Sequence, residues 1–271
     1  MTTTADRKSA QTDQYKVIGT RPVRHDGLEK VTGRAHYGAD ISLPGLLHAR
    51  YLRSPHAHAR IKSIDTSRAL SLPGVKAVVT AADFPNPAPG RTMEMSEGAS
   101  INVKFMSNNC LASEKALYKG HAVAAVAATS PHIAGEALSL IDVEYEVLMP
   151  ILDVVEAMEK SAPVLHEKDL KGTNIADRPV FELGDLDEGF SAADVVIERE
   201  YRTEPVHQGY IEPHSATAAW SADGSVTIWC SSQGHFLVRD QVAHIMDIPE
   251  SKIKVIPMEI GGGFGGKIFV Y

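Results

Sequence analysis

Residues 261–267, GGGFGGK, place five glycines, one aromatic ring and one ammonium between two apolar runs. Glycine admits positive φ and lets a backbone come close to a ligand, so this run could cradle a phosphate, a dinucleotide or a flat cofactor. Gly261, Gly263 and Gly266 satisfy GxGxxG after a predicted strand, a pattern that needs a following helix aimed at a pyrophosphate. Gly261 through Lys267 also satisfy the first seven positions of GxxxxGK[ST], but Ile268 stands where a magnesium-binding hydroxyl is needed. A simple tight turn uses one or two glycines, not five. The composition suits a backbone pressed against a flat group, with Phe264 as its only bulky side chain.

Three other stretches hold potential ligands or acid–base groups. His56 and His58 in SPHAHAR would share a strand face, but two neutral ligands without a third make a poor metal site, and the stretch reads as a strand end. His207, Glu212 and His214 in HQGYIEPH lack HExxH spacing and read as a hydrogen-bonded structural group. Asp142, Glu144 and Glu146 in DVEYEV alternate onto one solvated strand face. Cys110 and Cys230 show no CxxC or Cys/His spacing, which predicts two buried thiols and neither an iron–sulfur cluster nor structural zinc in this chain.

The elements that position these residues follow from hydrophobic periodicity. Runs 46–54, 59–66, 74–80, 121–129 and 142–148 read as strands, with a helix over 130–141 opened by Ser130 and Pro131. Runs 121–129 and 142–148 with that helix form a predicted strand–helix–strand unit. The Pro- and Gly-dense stretch 84–107 reads as a long surface loop. A junction at 161–180 precedes a short helix over 184–194, a strand over 195–203, a hairpin turned at Asp223–Gly224, a helix over 235–248 and a strand over 251–260. In 271 residues, 34 acidic groups against 27 basic ones give a net charge of -7, which argues against nucleic-acid or anionic-membrane partners and leaves small molecules and proteins. The N-terminal stretch has no apolar h-region and no window reaches about 18 apolar residues, so a cytoplasmic protein with a flexible tail at 1–20 is expected.

The loop GGGFGGK resembles the molybdenum-cofactor loop of the xanthine oxidase and aldehyde oxidase family, and it does not stand alone. The stretches EKVTGRAHYGADISLPGLLHARYLRSPHAHARIKSIDTSRALSLPGVKAVVTAADF and GHAVAAVAATSPHIAGEALSLIDVEYEVLMPILDVVEAM resemble the start and end of its hammerhead domain. GDLDEGFSAADVVIEREYRTEPVHQGYIEPHSATAAW and VTIWCSSQ resemble the opening of its first molybdopterin-binding domain. The resemblance runs through nearly the whole chain after Val17. It implies an α+β fold: an α/β hammerhead domain over 21–160, then the first part of a mixed α/β molybdopterin-binding domain over 161–271.

The resemblance also implies a molybdopterin cofactor, in its simple or cytosine-dinucleotide form, whose metal no side chain binds directly. Gln233 matches the glutamine whose amide approaches the metal's oxo ligand. Phe264 and Gly265 match the pair whose backbone lies over the metal, and Gly263 permits that approach. The implied reaction hydroxylates an aldehyde or (hetero)aromatic substrate with water as oxygen source. Electrons then pass to 2Fe–2S clusters and FAD on partner subunits, within a dimer of heterotrimers. The implied glutamate base lies beyond Tyr271, so no catalytic residue is named in this chain, and 1–271 reads as an N-terminal fragment or split subunit, inactive alone. Purine-oxidising members carry a glutamate directly after the loop lysine, and Ile268 departs from that pattern. Two alternatives stay open: a non-catalytic assembly or docking subunit, and a nicotinamide-dependent dehydrogenase using GxGxxG.

Overall fold

The computed structural model describes residues 16–88, 90–95, 100–167 and 172–271; residues 1–15 of the expected tail lie outside them. In chain order the first part contains α1 (Gly27–Val31), β1 (His48–Arg53), β2 (Ala59–Asp65), α2 (Ser67–Leu70), β3 (Val75–Thr80), β4 (Thr92–Glu94), β5 (Ser100–Asn102) and α3 (Val103–Cys110). It continues with β6 (Lys115–Ala116), β7 (Ala122–Ala128), α4 (Pro131–Leu138), β8 (Asp142–Val147) and α5 (Val154–Ala157). The second part holds α6 (Leu186–Ala192), β9 (Ala216–Trp220), β10 (Val226–Cys230), α7 (His235–Met246) and β11 (Ile253–Pro257).

β7 is the centre of an antiparallel sheet ordered β1-β7-β3. Its sequence, AVAAVAA, has small side chains on both faces, so α4 packs closely on it and Ala124, Val126, Ala128, Ala134 and Ala137 are all fully buried. Ser130 caps α4 by accepting from the Ile133 N–H, and Pro131 takes the first turn, as its sequence requires. A second sheet, β6-β2-β8, presents Asp142, Glu144 and Glu146 outward from β8, where Arg68, Lys62 and Arg60 pair with the first and last of them.

β7 and β8 flank α4 but lie in separate sheets, so the expected strand–helix–strand unit is a crossover between sheets. His56 and His58 are not a strand end; they lie in the bend between β1 and β2, and the His58 ring bonds through Nδ1 to the Met149 carbonyl (2.8 Å). The predicted loop 84–107 contains β4, β5 and the start of α3; residues 89 and 96–99 are outside the described set. Met93, Val103 and Met106 are buried there against Ile245 of α7, and this packing overrides the Pro and Gly punctuation. Asn102 caps α3 by accepting from the Phe105 N–H.

In the second part β10 pairs antiparallel with β9 and parallel with β11, and α7 makes the crossover from β10 to β11. Val226, Ile228, Val238, Ala243 and Ile253 form the core between helix and sheet. The β9–β10 hairpin turns at Asp223–Gly224, with Gly224 at φ +79°. The expected strand over 195–203 does not form, and its residues are exposed throughout. Alternation specifies which face a strand would bury, but among the described residues no partner strand lies alongside. Cys230 is buried as expected and Cys110 only partly, and burial raises both thiols, Cys110 to about 11.

Candidate functional site

The glycine run leaves the end of β11 beside the end of β10, which carries Ser231 and Gln233. The first and last residues of the run meet one carboxylate, that of Glu212. Glu212 Oε2 accepts from the Gly261 N–H (2.7 Å) and from Lys267 Nζ (2.6 Å). Glu212 Oε1 accepts from Ser231 Oγ (2.8 Å), which in turn accepts from the Gly38 N–H (3.0 Å). Burial pushes the Glu212 carboxyl up, but the hydrogen bonds from Lys267, Gly261 and Ser231 outweigh it and hold the group below its ordinary value. Lys267 is 1% exposed, with its ammonium 5.1 Å from the centre of the Tyr210 ring.

Gln233 forms the second clamp. Its Oε1 accepts from the Gly265 N–H (3.0 Å) and the Lys267 N–H (3.2 Å), while its own backbone N–H donates to the Lys267 carbonyl (2.9 Å). Two convergent donors identify that side-chain atom as oxygen, so the NH2 is turned the other way and its two hydrogens are available to a ligand.

The glycines now have separate reasons. A Cβ on Gly261 would lie 2.6 Å from Glu212 Cβ, one on Gly263 would lie 2.5 Å from Gln233 Oε1, and one on Gly266 would lie 2.7 Å from Tyr210 Cε1. Those three make room for protein, so Gly263, expected to admit the cofactor, instead admits the Gln233 side chain. Gly265, at φ +86°, faces open space, and Phe264 beside it holds the left-handed conformation at φ +50° with its ring 72% exposed. The face open to a ligand is therefore Phe264–Gly265, flanked by the Gln233 amide.

This geometry removes two of the sequence readings. Lys267 is buried on Glu212 and does not offer its charge to a phosphate. Residues 263–267 close as turns, with the Gly266 N–H donating to the Gly263 carbonyl (2.8 Å), and open no helix toward a pyrophosphate.

Around the loop, the Tyr210 hydroxyl and His214 Nε2 lie 2.9 Å apart, and the Gly209 N–H donates to His207 Nδ1 (3.0 Å). Burial and the nearby Lys267 charge both lower the His214 imidazole. Gln241, wholly buried on α7, accepts from the Val270 N–H (2.9 Å) and holds the stretch after the loop. A segment before β1 also reaches the site: Lys30 pairs with Glu259, and the Glu259 N–H donates to the His36 carbonyl (2.9 Å).

The structure thus brings Gln233, Gly263, Phe264 and Gly265 together, as the sequence reading grouped them. It adds Glu212, Lys267, Ser231 and Gln241. A separation of 55 residues hides the Glu212–Lys267 pair in the sequence, although a lysine next to apolar residues hints at a buried counter-charge.

Comparison with known proteins defines the class. Residues 32–149 match the aldehyde oxidase and xanthine dehydrogenase a/b hammerhead domain, and residues 165–271 match the molybdopterin cofactor-binding domain. These matches define a chain built from a hammerhead domain followed by a molybdopterin cofactor-binding domain. It is 36% identical over 254 residues to the nicotinate dehydrogenase large molybdopterin subunit of Eubacterium barkeri, covering 94% of this chain and 56% of that one. It is 38% identical over 246 residues to a probable xanthine dehydrogenase subunit of Bacillus subtilis, covering 90% of this chain and 31% of that one. Its fold superimposes on reconstituted CO dehydrogenase from Oligotropha carboxidovorans with a TM-score of 0.77 at 37% identity, over 93% of this chain and 32% of that one. The chain belongs to the xanthine oxidase and aldehyde oxidase family of molybdopterin-binding large subunits and spans between about a third and about half the length of these relatives.

Proposed function

We propose that this chain supplies a cofactor-holding wall of a molybdenum hydroxylase, with Gln233, Phe264 and Gly265 contacting a molybdopterin cofactor and Gly263, buried behind Gln233, making room for the amide that does so. The observation that carries the reading is the fixed amide of Gln233, whose NH2 is turned outward beside an open Phe264–Gly265 backbone. These residues fit the group: an amide donor suits an oxo ligand, and a position without a Cβ suits a flat ligand at short range. When bound, the cofactor supplies two-electron redox chemistry and Lewis-acid activation of water.

This chain's own residues bind and orient. Gln233 donates, and the Phe264–Gly265 backbone sets the approach. Glu212 bonds both ends of the loop, and three donors already engage it, so it is a poor proton acceptor. In line with the family resemblance, we assign the proton-accepting glutamate to a part of the subunit outside this chain.

The substrate class we favour is an aldehyde or a (hetero)aromatic ring. Relatives named for nicotinate and xanthine support the heteroaromatic side, and Ile268 in place of a glutamate argues against purines. Electrons would leave to 2Fe–2S clusters and FAD on partner subunits, in a dimer of heterotrimers, with the pterin in simple or cytosine-dinucleotide form. Two free thiols suit a reducing, cytoplasmic setting. We divide the chain into a tail at 1–20, a hammerhead domain at 21–160 and a cofactor domain from 161, a division supported by the gap between the two domain matches.

The test is turnover of the native complex on aldehydes and nitrogen heteroaromatics in 18O-labelled water. Label in the product, with kcat falling about 10- to 100-fold in Gln233→Ala, is the expected result. Unlabelled product, or unchanged turnover in Gln233→Ala, would overturn the assignment.

A further inference from the structure

We propose that Glu212 is the positioning residue of the cofactor loop: its carboxylate, paired with the buried Lys267 ammonium, pins both ends of 261–267 and thereby sets where Phe264 and Gly265 stand. This rests on the cofactor reading and extends it to residues that touch no cofactor. A single oxygen, Oε2, takes the Gly261 N–H and Lys267 Nζ, the two ends of the loop. The other oxygen reaches Ser231 Oγ and through it the Gly38 N–H, so one carboxylate joins the loop, the end of β10 and the turn at 38–40.

The packing leaves this arrangement no slack. Gly261 has room for no Cβ against Glu212, and Gly38 has none against the Ser215 carbonyl, where a Cβ would lie at 2.8 Å. An ammonium as buried as that of Lys267 needs a counter-charge, and its ion-pair partner among the described residues is Glu212. Lifting the Lys267 end would leave a buried charge unpaired, and lifting the Gly261 end would break its N–H bond to the same carboxylate. Gln233 Oε1 holds the N–H groups of Gly265 and Lys267 from the other side. Between the two clamps, Phe264 and Gly265 are the exposed residues of a segment whose neighbours Gly263, Gly266 and Lys267 are buried. The network defines the loop's shape before any ligand arrives, which is how outer-sphere groups tune a metal site.

The experiment uses the full-length subunit in its native complex, with and without cofactor, as wild type, Glu212→Gln and Lys267→Met. Hydrogen exchange across 258–271 reads the loop directly in the cofactor-free complex, and should be faster in both variants. In the loaded complex, kcat per bound molybdenum should fall about 10- to 100-fold while the substrate KM stays within about twofold, and the half-reduced metal's electron paramagnetic resonance spectrum should shift. A variant that loses only molybdenum content, with kcat per molybdenum and spectrum unchanged, would reduce Glu212 to a structural role and overturn the proposal. If Glu212→Gln does not assemble, Ser231→Ala, which keeps the ion pair, decides: a smaller loss of kcat per molybdenum supports the proposal and no change overturns it. If the wild-type complex binds no molybdenum, the cofactor reading fails separately. In that case unchanged exchange in Glu212→Gln would sink the positioning role as well.

Discussion

Gln233 is exposed, yet its amide has no choice of face, because two backbone donors hold the oxygen inward. Gly263 is the residue that allows this. Gly263→Ala would put a Cβ 2.5 Å from Gln233 Oε1 and 2.8 Å from its Cδ, so the amide must swing and release both donors. We expect a stability loss of about 1–3 kcal/mol by chemical denaturation from the overpacking, together with lost turnover. Glu212 gives a signed pH effect. Its folded pKa lies below the ordinary 4.5, so its contribution is complete above that value and is lost as pH falls through the depressed pKa. Glu212→Gln should therefore flatten the acid limb of a stability–pH curve; a limb as steep as the wild type's would show that the pairing contributes nothing. The resemblance grouped Gln233 with the loop but gave Gly263 the wrong neighbour, since its missing Cβ admits Gln233, and the Glu212–Lys267 pair was not legible because only the fold brings the two side chains together.

Strands and helices with strong periodicity were legible wherever the buried face had a partner. β7 reads as buried from its Ala and Val run, and α7 and the β9–β10 hairpin follow from helical spacing and an Asp-Gly turn. The segment 195–203 has equally good alternation but no neighbour to pair with among the described residues, and short β4 and β5 carry too little pattern to stand out against prolines and glycines. At this scale His121 is the useful probe. It is buried at the start of β7, accepts from the Leu117 N–H at Nδ1 (3.2 Å), donates from Nε2 to the Asn108 carbonyl (2.8 Å) and stacks on Tyr118. Both ring nitrogens are used by the neutral form, and burial lowers the folded pKa. Stability should thus be complete above about 6.5, the unfolded value, and fall as pH drops toward the lowered folded pKa. His121→Gln should remove this pH-dependent part of the melting temperature, and a mildly acidic slope that survives the substitution would contradict it.

Taken whole, the described residues bury three apolar clusters and leave a long stretch with many exposed apolar side chains. Val180, Phe181, Leu183, Val195, Ile197, Tyr201 and Ile211 are all at least two-thirds exposed, more apolar surface than an isolated soluble domain usually carries. Residues 1–271 expressed alone should self-associate, and light scattering after size exclusion checks this; a monodisperse monomer at micromolar concentration would count against it. The hammerhead part and the cofactor part are joined where Met93, Val103 and Met106 pack against Ile245 of α7. The functional reading of the loop depends on its holding a molybdenum cofactor. Elemental analysis of the native, fully assembled complex decides that point. Molybdenum should be present in stoichiometric amount with this chain and at a much lower level in Gly263→Ala; a correctly assembled wild-type complex free of molybdenum would contradict it.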